Sequence, residues 1–202
     1  MAVRILPAGP RAVLAEYDTL DDVLSAAAAL RSLHLPGVCE IVPAARTVLV
    51  VHDGSAAAAV RAILEVPAPS PSVGDVPEPI TLDVVYDGAD LDDVAFGLDL
   101  SVEEVVALHT APVYTVAFCG FVPGFAYLVG LAPALHLPRR STPRPRVPAG
   151  SVAIASEYSA VYPSASPGGW HLLGHTDASM WDEERPSPAL LQPGATVRFV
   201  PR

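Results

Sequence analysis

The sequence contains little cysteine and no lysine. Its two cysteines, Cys39 and Cys119, stand far apart among the 202 residues, and neither belongs to a CxxC pair. This spacing excludes a zinc knuckle and a disulfide framework. We therefore expect reduced thiols, a cytoplasmic location and no metal site.

Long apolar runs are also missing, although 51% of the residues are hydrophobic. A membrane-spanning helix needs about 20 consecutive apolar residues, and prolines interrupt every candidate run. The first residues form a short apolar piece closed by Pro7 and Gly9, unlike the long apolar core of a secretion signal. The sequence predicts a soluble protein with no export signal and no membrane partner.

Positive charge is scarce. Twelve basic residues stand against 22 acidic ones, which gives a formal net charge of -10. Such a chain repels nucleic acid and anionic membranes at long range, so a nucleic-acid partner is not expected. The local exception is the segment 138–146, PRRSTPRPR, which carries four arginines and no acidic residue.

Prolines concentrate between two regions of periodic sequence, which is the composition of a semi-extended linker. The sequence predicts a small N-terminal α+β domain over 1–68, a Pro-rich linker over 69–79 and a second domain over 80–202. In the first domain, Thr19 is positioned to cap an amphipathic helix, and a second helix is expected from Ser55 to Leu64.

The second domain opens with the strand-like run ITLDVVY and a helix whose capping box pairs Ser101 with Glu104. From Tyr114 onward, short apolar runs are separated by Gly and Pro. Many short strands without intervening helices favour a closed or nearly closed β-barrel. The predicted fold class is α+β, with a small α/β domain followed by a β-barrel domain.

The segment 118–131, FCGFVPGFAYLVGL, is apolar, uncharged and bent by glycine. Glycines permit backbone conformations and close approaches that a Cβ forbids, so this loop can form the wall of a pocket. Alternatively, its aromatic residues fill the end of the barrel.

Two further segments suggest anion binding. The arginines of 138–146 can clamp a carboxylate or phosphate, or they can form a solvated surface loop. The segment 164–170, SASPGGW, offers consecutive glycines for an anion nest or a hairpin turn. It is not a phosphate-binding P-loop, because the GxxxxGK[ST] pattern is absent and no lysine is nearby.

Three polar residues near the C-terminal end share a period of two. His171, His175 and Asp177 would face one side of a strand and could form a metal or acid/base set. Histidines on half-buried strands are more often simply hydrogen-bonded, so a metal ion is not predicted. The serines lack a GxSxG setting, so a serine-hydrolase triad is not supported either.

Four blocks in order carry a resemblance: GFVPGFAYLVGL, PRRSTPRPRVPAGSVAIA, VYPSASPGGWHLLGHT and LLQPGATVRFVP. Together they resemble the KipI family, whose members are also called 5-oxoprolinase B subunits or allophanate hydrolase subunit 1. The resemblance implies a cyclophilin-like β-barrel after a small α/β domain. It also implies a KipA-like partner, the 5-oxoprolinase C subunit, and a further A subunit, which together open 5-oxoproline to glutamate with ATP. The complex or this chain would bind the ATP.

The resemblance also implies a site. Its catalytic candidates are Arg144, Ser166 and His175, with Arg144 as the first choice for an anion contact. The other residues expected to bind substrate, nucleotide or partner are Gly120, Phe121, Pro123, Gly124, Phe125, Tyr127, Arg139, Ser151, Tyr162, Gly168, Gly169 and Trp170.

This chain also departs from the family pattern. It reads GHTD where relatives commonly read GRTP, so His175 replaces an arginine and Asp177 a proline. It reads SEYSA, with Glu157, where relatives tend to have a Gly-Asn-Gln-Thr-Gly-like turn. These changes make the rim of the expected site less positive.

Two other functions stay open. The chain can be an inhibitor of a sensor histidine kinase, as the KipI name implies, in which case Phe121, Phe125 and Trp170 would supply an apolar docking patch. It can also be half of a carboxyltransferase, which is a weaker hypothesis because no biotin-carrier region is present.

Overall fold

The computed structural model describes residues 3–55, 61 and 78–202. The chain divides into two compact units, Met1–Val76 and Pro77–Arg202. Most of the expected second helix at 55–64 and of the expected linker at 69–79 lies outside the described residues. The predicted domain boundaries therefore stay a prediction.

The first unit is a four-stranded antiparallel sheet with a helix packed on it. Its elements in chain order are β1 Arg4–Pro7, β2 Ala12–Glu16, α1 Leu20–Ser32, β3 Val38–Pro43 and β4 Thr47–His52. The spatial order of the strands is β1-β2-β4-β3. Alternate residues of the two central strands, such as Val13 and Val48, point to the helix and are fully buried.

Helix α1 begins where the sequence predicts. Thr19 has extended backbone, and its hydroxyl accepts a hydrogen bond from the Asp22 N–H, which satisfies one of the unpaired donors of the first turn. The helix buries Val23, Ala27 and Leu30 on one face. This spacing of three and four residues produces the apolar stripe that packs on the sheet.

The second unit contains the remaining helices and strands of the described residues. They are β5 Ile80–Val84, α2 Leu91–Leu98, α3 Val102–Thr110, β6 Tyr114–Cys119, β7 Ala126–Val129, β8 Arg144–Val147, β9 Ser151–Ala155, β10 Tyr158–Val161, β11 Ser166–Gly168, β12 His171–His175 and β13 Thr196–Pro201, with a short 3₁₀ turn at Pro133–Leu135. The capping box predicted at Ser101 and Glu104 starts α3 and is present in both directions. Helix α2 is not foreseen from the sequence.

Seven strands form one sheet in the order β12-β9-β10-β7-β6-β13-β5. Its two edges meet where Val85, just after β5, exchanges both backbone hydrogen bonds with His175 of β12, at 2.9 Å each. The sheet is therefore a nearly closed barrel, which confirms the predicted fold class. The strands are antiparallel except for the pair β5 and β13.

Each face of this sheet has its own core. Val152 and Ile154 of β9 belong to the larger cluster, with residues of α2 and α3. The alternate residues Ala153 and Ala155 of the same strand belong to a second cluster, which contains Phe125 and Trp170. All five residues of β9 are buried because this strand is covered on both faces. The two-stranded sheet of β8 and β11 carries Val147, which packs into the second cluster.

Candidate functional site

A buried carboxylate, Asp90, holds the arginine-rich segment in place. Arg144 donates two hydrogen bonds to it, from Nη1 to Oδ2 at 2.8 Å and from Nη2 to Oδ1 at 2.7 Å. Arg140 donates a short hydrogen bond to Oδ1, and the Leu172 N–H donates to Oδ2 at 2.8 Å. The Asp90 side chain is 1% exposed, whereas those of Arg140 and Arg144 are 30% and 24% exposed.

These contacts set the ionisation of the group. Burial is the largest single influence on the Asp90 pKa and acts to raise it, but the hydrogen bonds from Arg144 and Leu172 and the two guanidinium charges together hold the pKa below its usual range. The hydrogen bond to Asp90 in turn raises the pKa of Arg144. Asp90 is therefore ionised, and Arg144 gives two of its donors to this internal partner.

Local backbone packing puts Asp90 at this position. The Gly88 N–H donates to the Leu173 carbonyl at 3.0 Å, and the Asp90 N–H donates to the Leu172 carbonyl at 3.1 Å. A Cβ at Gly88 would collide with the backbone of Leu172 and Leu173, so only glycine permits this approach. Asp90 then begins α2 without capping it through its side chain, which leaves the carboxylate free for the arginines.

A cleft of about 450 Å³ lies beside this ion cluster. Its walls come from the segment before α2, from β8 and the turn that follows it, and from β9 and β12. The lining residues are Asp87, Gly88, Ala89, Arg144, Arg146, Pro148, Ala149, Ser151, Leu172, Gly174 and His175. The cleft thus brings together three residues predicted from the sequence, namely Arg144, Ser151 and His175.

His175 forms an ion-pair-type contact at this cleft. Its Nδ1 lies 2.8 Å from Oδ1 of Asp87, and both side chains are about half exposed. An N–H at Nδ1 donates to this carboxylate oxygen, and Nε2 is left for another partner. The Ser151 hydroxyl uses its proton internally, because it donates a hydrogen bond to the Pro148 carbonyl at 2.9 Å.

Most of the aromatic residues predicted for the site lie in a different place. Phe125, Tyr162 and Trp170 are 1%, 1% and 4% exposed and pack together edge to face. Tyr127 joins them from β7 and is half buried. They form part of the second core cluster, Tyr127 from within β7 and the other three from positions next to the ends of β7, β10 and β12.

Phe121 is the aromatic residue of this loop that reaches solvent. It has a φ of 76°, and the Val122 N–H donates to the Gly120 carbonyl at 3.1 Å across it, which defines a γ-turn of the rare, strained kind. Its ring is 59% exposed and touches Phe125 edge-on. The neighbouring Pro123 is exposed, whereas Gly124 is buried.

The predicted anion nest at Ser166, Gly168 and Gly169 is absent. These residues do not turn, since Ser166–Gly168 is the strand β11, paired with β8, and neither glycine has a positive φ. Gly168 is required because a Cβ there would collide with the Tyr162 hydroxyl and lie 2.9 Å from its Cζ. The Ser166 hydroxyl is buried and has no hydrogen-bond partner among the described residues.

Other predicted polar residues do not reach the cleft. Arg139 is exposed and is not a lining residue. His171 Nε2 lies 2.9 Å from the Pro138 carbonyl, and Asp177 pairs with Arg202 at 3.1 Å, so neither joins His175. Among the described residues, no group of three His, Cys, Asp or Glu side chains could hold a metal ion.

Sequence reasoning missed Asp87 and Asp90 as parts of the site, and it included Arg146 only as one of the arginines of the segment 138–146. Asp90 resembles any acidic residue at the start of a helix, and its arginine partners lie 50 and 54 positions away. The run DGAD at 87–90 carried one usable signal, since glycine before a helix marks a close backbone approach.

A second missed group is the buried histidine of α3. His109 is fully buried, with Nδ1 at 2.7 Å from the Tyr86 hydroxyl and Nε2 at 2.9 Å from the Ser159 hydroxyl. Burial lowers its pKa to about 3, so the ring is neutral. It ties α3 to β10 and does not line the cleft.

None of the helices in the described parts of the chain has the length and apolar character needed to cross a membrane.

Comparison with known proteins gives a family. Residues 3–191 match the family described as carboxyltransferase domain, subdomain C and D. The 5-oxoprolinase B subunit of Escherichia coli O157:H7 is 43% identical over 180 residues, which cover 86% of this chain and 83% of that protein. The protein of the same name from Bacillus subtilis is 45% identical over 113 residues, 56% of this chain and 47% of its own.

Solved structures show the same fold. The protein TTHA0988 is 37% identical with a TM-score of 0.83, over 95% of this chain but only 40% of its own length. A conserved uncharacterized protein from Pyrococcus horikoshii is 33% identical with a TM-score of 0.61, over 98% and 97% of the two chains. The urea carboxylase of Kluyveromyces lactis, 21% identical with a TM-score of 0.70, shares the fold over 99% of this chain and 22% of its own. The chain belongs to the family of carboxyltransferase subdomains C and D, which includes the proteins named as the B subunit of 5-oxoprolinase.

Proposed function

We propose that this chain is the B subunit of an ATP-dependent 5-oxoprolinase, which opens 5-oxoproline to L-glutamate together with a KipA-like C subunit and an A subunit. The observation that carries the proposal is the 43% identity to a 5-oxoprolinase B subunit over 86% of this chain. Because that relative is named as one subunit of an enzyme, its name implies further subunits.

The chemistry requires assistance from charge. A lactam is stabilised by resonance, and phosphorylation of its carbonyl oxygen by ATP would make the carbon a better electrophile. Such a step needs cationic or N–H groups near the transferred phosphate. The arginines beside the cleft support a role in that environment. We assign ATP to the assembled complex, because the chain contains no lysine and so lacks the GxxxxGK[ST] pattern of a P-loop.

The length of a relative supports the need for a partner. This chain spans about two fifths of TTHA0988, so in that protein the same domain is part of a longer chain. The exposed ring of Phe121, fixed by its γ-turn, is a suitable anchor for a second protein, since rigid aromatic side chains commonly dominate interfaces.

The test is reconstitution. Purified chain mixed with a KipA-like C subunit and an A subunit should release glutamate from 5-oxoproline with stoichiometric ADP formation, and no single protein of the three should do so. Omitting ATP is the control for hydrolysis by contaminants. A complete assembly that forms but gives no glutamate would remove the proposal.

A kinase inhibitor is the second candidate, and the exposed Phe121 is the observation that favours it. In that case the chain alone should bind a histidine-kinase dimerisation domain, and Phe121→Ala should weaken the binding. No binding at tens of micromolar by calorimetry would exclude it.

A further inference from the structure

The cleft beside Asp90 has more positive than negative charge around it, on a chain whose net charge is -10. Arg140 and Arg144 share the single carboxylate of Asp90, and Arg146 lines the cleft without an ion pair among the described residues. Asp87 is the carboxylate that lines the cleft. Among the residues that line the cleft, the guanidinium groups of Arg144 and Arg146 stand against the single carboxylate of Asp87, which leaves one surplus positive charge in the lining apart from His175.

One further acidic group acts on the cluster from outside. Asp93 is exposed on α2 and influences Arg144 electrostatically, but it does not line the cleft. A ligand anion inside the cleft would therefore meet Arg146 and Arg144 before it meets Asp93.

Asp90 leaves part of Arg144 available. A guanidinium carries five N–H donors, and Arg144 uses one from Nη1 and one from Nη2 for Asp90. Its remaining donors belong to a side chain that is 24% exposed and lines the cleft. The buried carboxylate thus works as a positioning residue, because it fixes the plane of the guanidinium while leaving donors for a ligand.

His175 adds a contact of a different kind. Nδ1 of His175 is directed to Asp87, so Nε2 is the ring nitrogen left for a ligand, and it accepts a hydrogen bond in the tautomer that carries its proton on Nδ1. The cleft therefore combines cationic donors on β8 with an N–H acceptor on β12. A small molecule that carries a carboxylate next to an amide N–H matches both.

We propose that this cleft is the substrate site of the chain and takes a small lactam carboxylic acid. The carboxylate contacts Arg146 and the remaining donors of Arg144, and the lactam N–H donates to His175 Nε2. The lactam acid named here, 5-oxoproline, rests on the proposed function. The volume of about 450 Å³ falls within the usual range of small-molecule sites and leaves room beside so small a ligand.

Direct binding to the full chain tests this. Titration with 5-oxoproline, followed by NMR shifts of the His175 ring and of the backbone around residues 87–89, should saturate. Two matched ligands separate the contacts, since 2-pyrrolidinone lacks the carboxylate and cyclopentanecarboxylate lacks the amide. Each should bind at least tenfold more weakly. Equal binding of 2-pyrrolidinone, or shifts that map elsewhere, would overturn the assignment.

Variants test the named side chains. Arg146→Ala and His175→Phe should each weaken binding of 5-oxoproline about tenfold or more, whereas Arg198→Ala, an exposed arginine of β13 outside the cleft, should leave it unchanged. In the assembled complex, Arg146→Ala should raise the KM for 5-oxoproline without changing the KM for ATP. If neither binding nor this KM responds to Arg146→Ala, the site is wrong.

The two proposals fail separately. If the complex releases glutamate but the chain binds no 5-oxoproline and Arg146→Ala leaves the KM unchanged, the function stands and the site falls. If the chain binds 5-oxoproline in the cleft but the complete assembly gives no glutamate, the site stands and the proposed reaction falls.

Discussion

Asp90 stabilises the fold through the hydrogen bonds that its buried carboxylate accepts. Its buried carboxylate accepts hydrogen bonds from two arginines and a backbone N–H. Removing one member of a buried ion pair costs more than the pair contributes, because the remaining charges lose their partner.

Asp90→Ala should therefore lower the free energy of unfolding by roughly 3 kcal/mol, the lower end of the range for buried pairs, since Arg140 and Arg144 are partly exposed. Urea unfolding monitored by tryptophan fluorescence measures it. The matched control is Asp92→Ala, an exposed acidic residue of the same helix, which should change the free energy by at most about 0.5 kcal/mol. Similar losses for both variants would contradict the role given to Asp90.

A second residue is constrained by shape alone. Gly168 lies against the ring of Tyr162, where a Cβ has no room. Gly168→Ala should destabilise the protein by about 1–3 kcal/mol, the usual cost of overpacking.

Gly97 provides the opposite control, since a Cβ there meets nothing within 4 Å and the residue lies in α2. Gly97→Ala should raise the free energy of unfolding by up to about 1 kcal/mol. Thermal unfolding of the two variants should give shifts of opposite sign. A gain in stability from Gly168→Ala would show that Tyr162 moves freely.

Helix α3 is attached to the barrel through a titratable group. His109 joins Tyr86 on one side and Ser159 of β10 on the other. Its folded-state pKa is lowered to about 3 by burial, whereas an unfolded histidine titrates near about 6.5. The unfolded chain therefore binds a proton that the folded chain does not, and folding is opposed as the pH falls through this interval.

The free energy of unfolding should accordingly fall by up to roughly 1.4 kcal/mol per pH unit below about pH 6 on account of His109. Asp90 adds to this only at lower pH, because its folded pKa lies below the unfolded value and its contribution disappears as the carboxylate is protonated. Urea unfolding measured between pH 6.5 and about 4.5 gives the free energy of unfolding as a function of pH. This free energy should fall less steeply with decreasing pH for His109→Gln than for the unchanged chain. Identical slopes would mean that His109 is protonated when folded.

At the level of the assembly, the two most exposed phenylalanines differ in rigidity. Phe121 is held by a γ-turn and by its contact with Phe125, whereas Phe96 is 91% exposed on α2. Phe121→Ala should weaken association with the KipA-like partner about tenfold or more, as expected for an aromatic anchor. Phe96→Ala should not. Calorimetry of each variant with the partner measures this, and equal effects would move the interface away from the Phe121 loop.

Features that depend on neighbouring residues are predictable from this sequence. The caps at Thr19 and Ser101 each involve residues three positions apart, and both are found where expected. Short apolar runs separated by Gly and Pro predict the barrel correctly, because strand length and turn residues are set by each short segment alone.

The site depends on distant residues, which no local pattern reveals. The sequence predicts that Arg144 contacts an anion, but it does not reveal that two of its donors bind Asp90, 54 positions away. His175 pairs with Asp87 across 88 positions, at the point where the two edges of the barrel meet. Phe125 and Tyr127 of the glycine-rich loop were expected in one pocket with the arginines. They belong instead to the second core cluster, whereas Arg144 lines the cleft.

Composition and short-range spacing were thus enough to specify the net charge, the capped starts of α1 and α3 and a barrel of short strands, because each follows from composition or from residues within a few positions of one another. Barrel closure decided which arginine donors are used internally and which side chains line the cleft. Those contacts join residues that meet only when the edge strands pair, and their strength depends on burial that no single segment can provide.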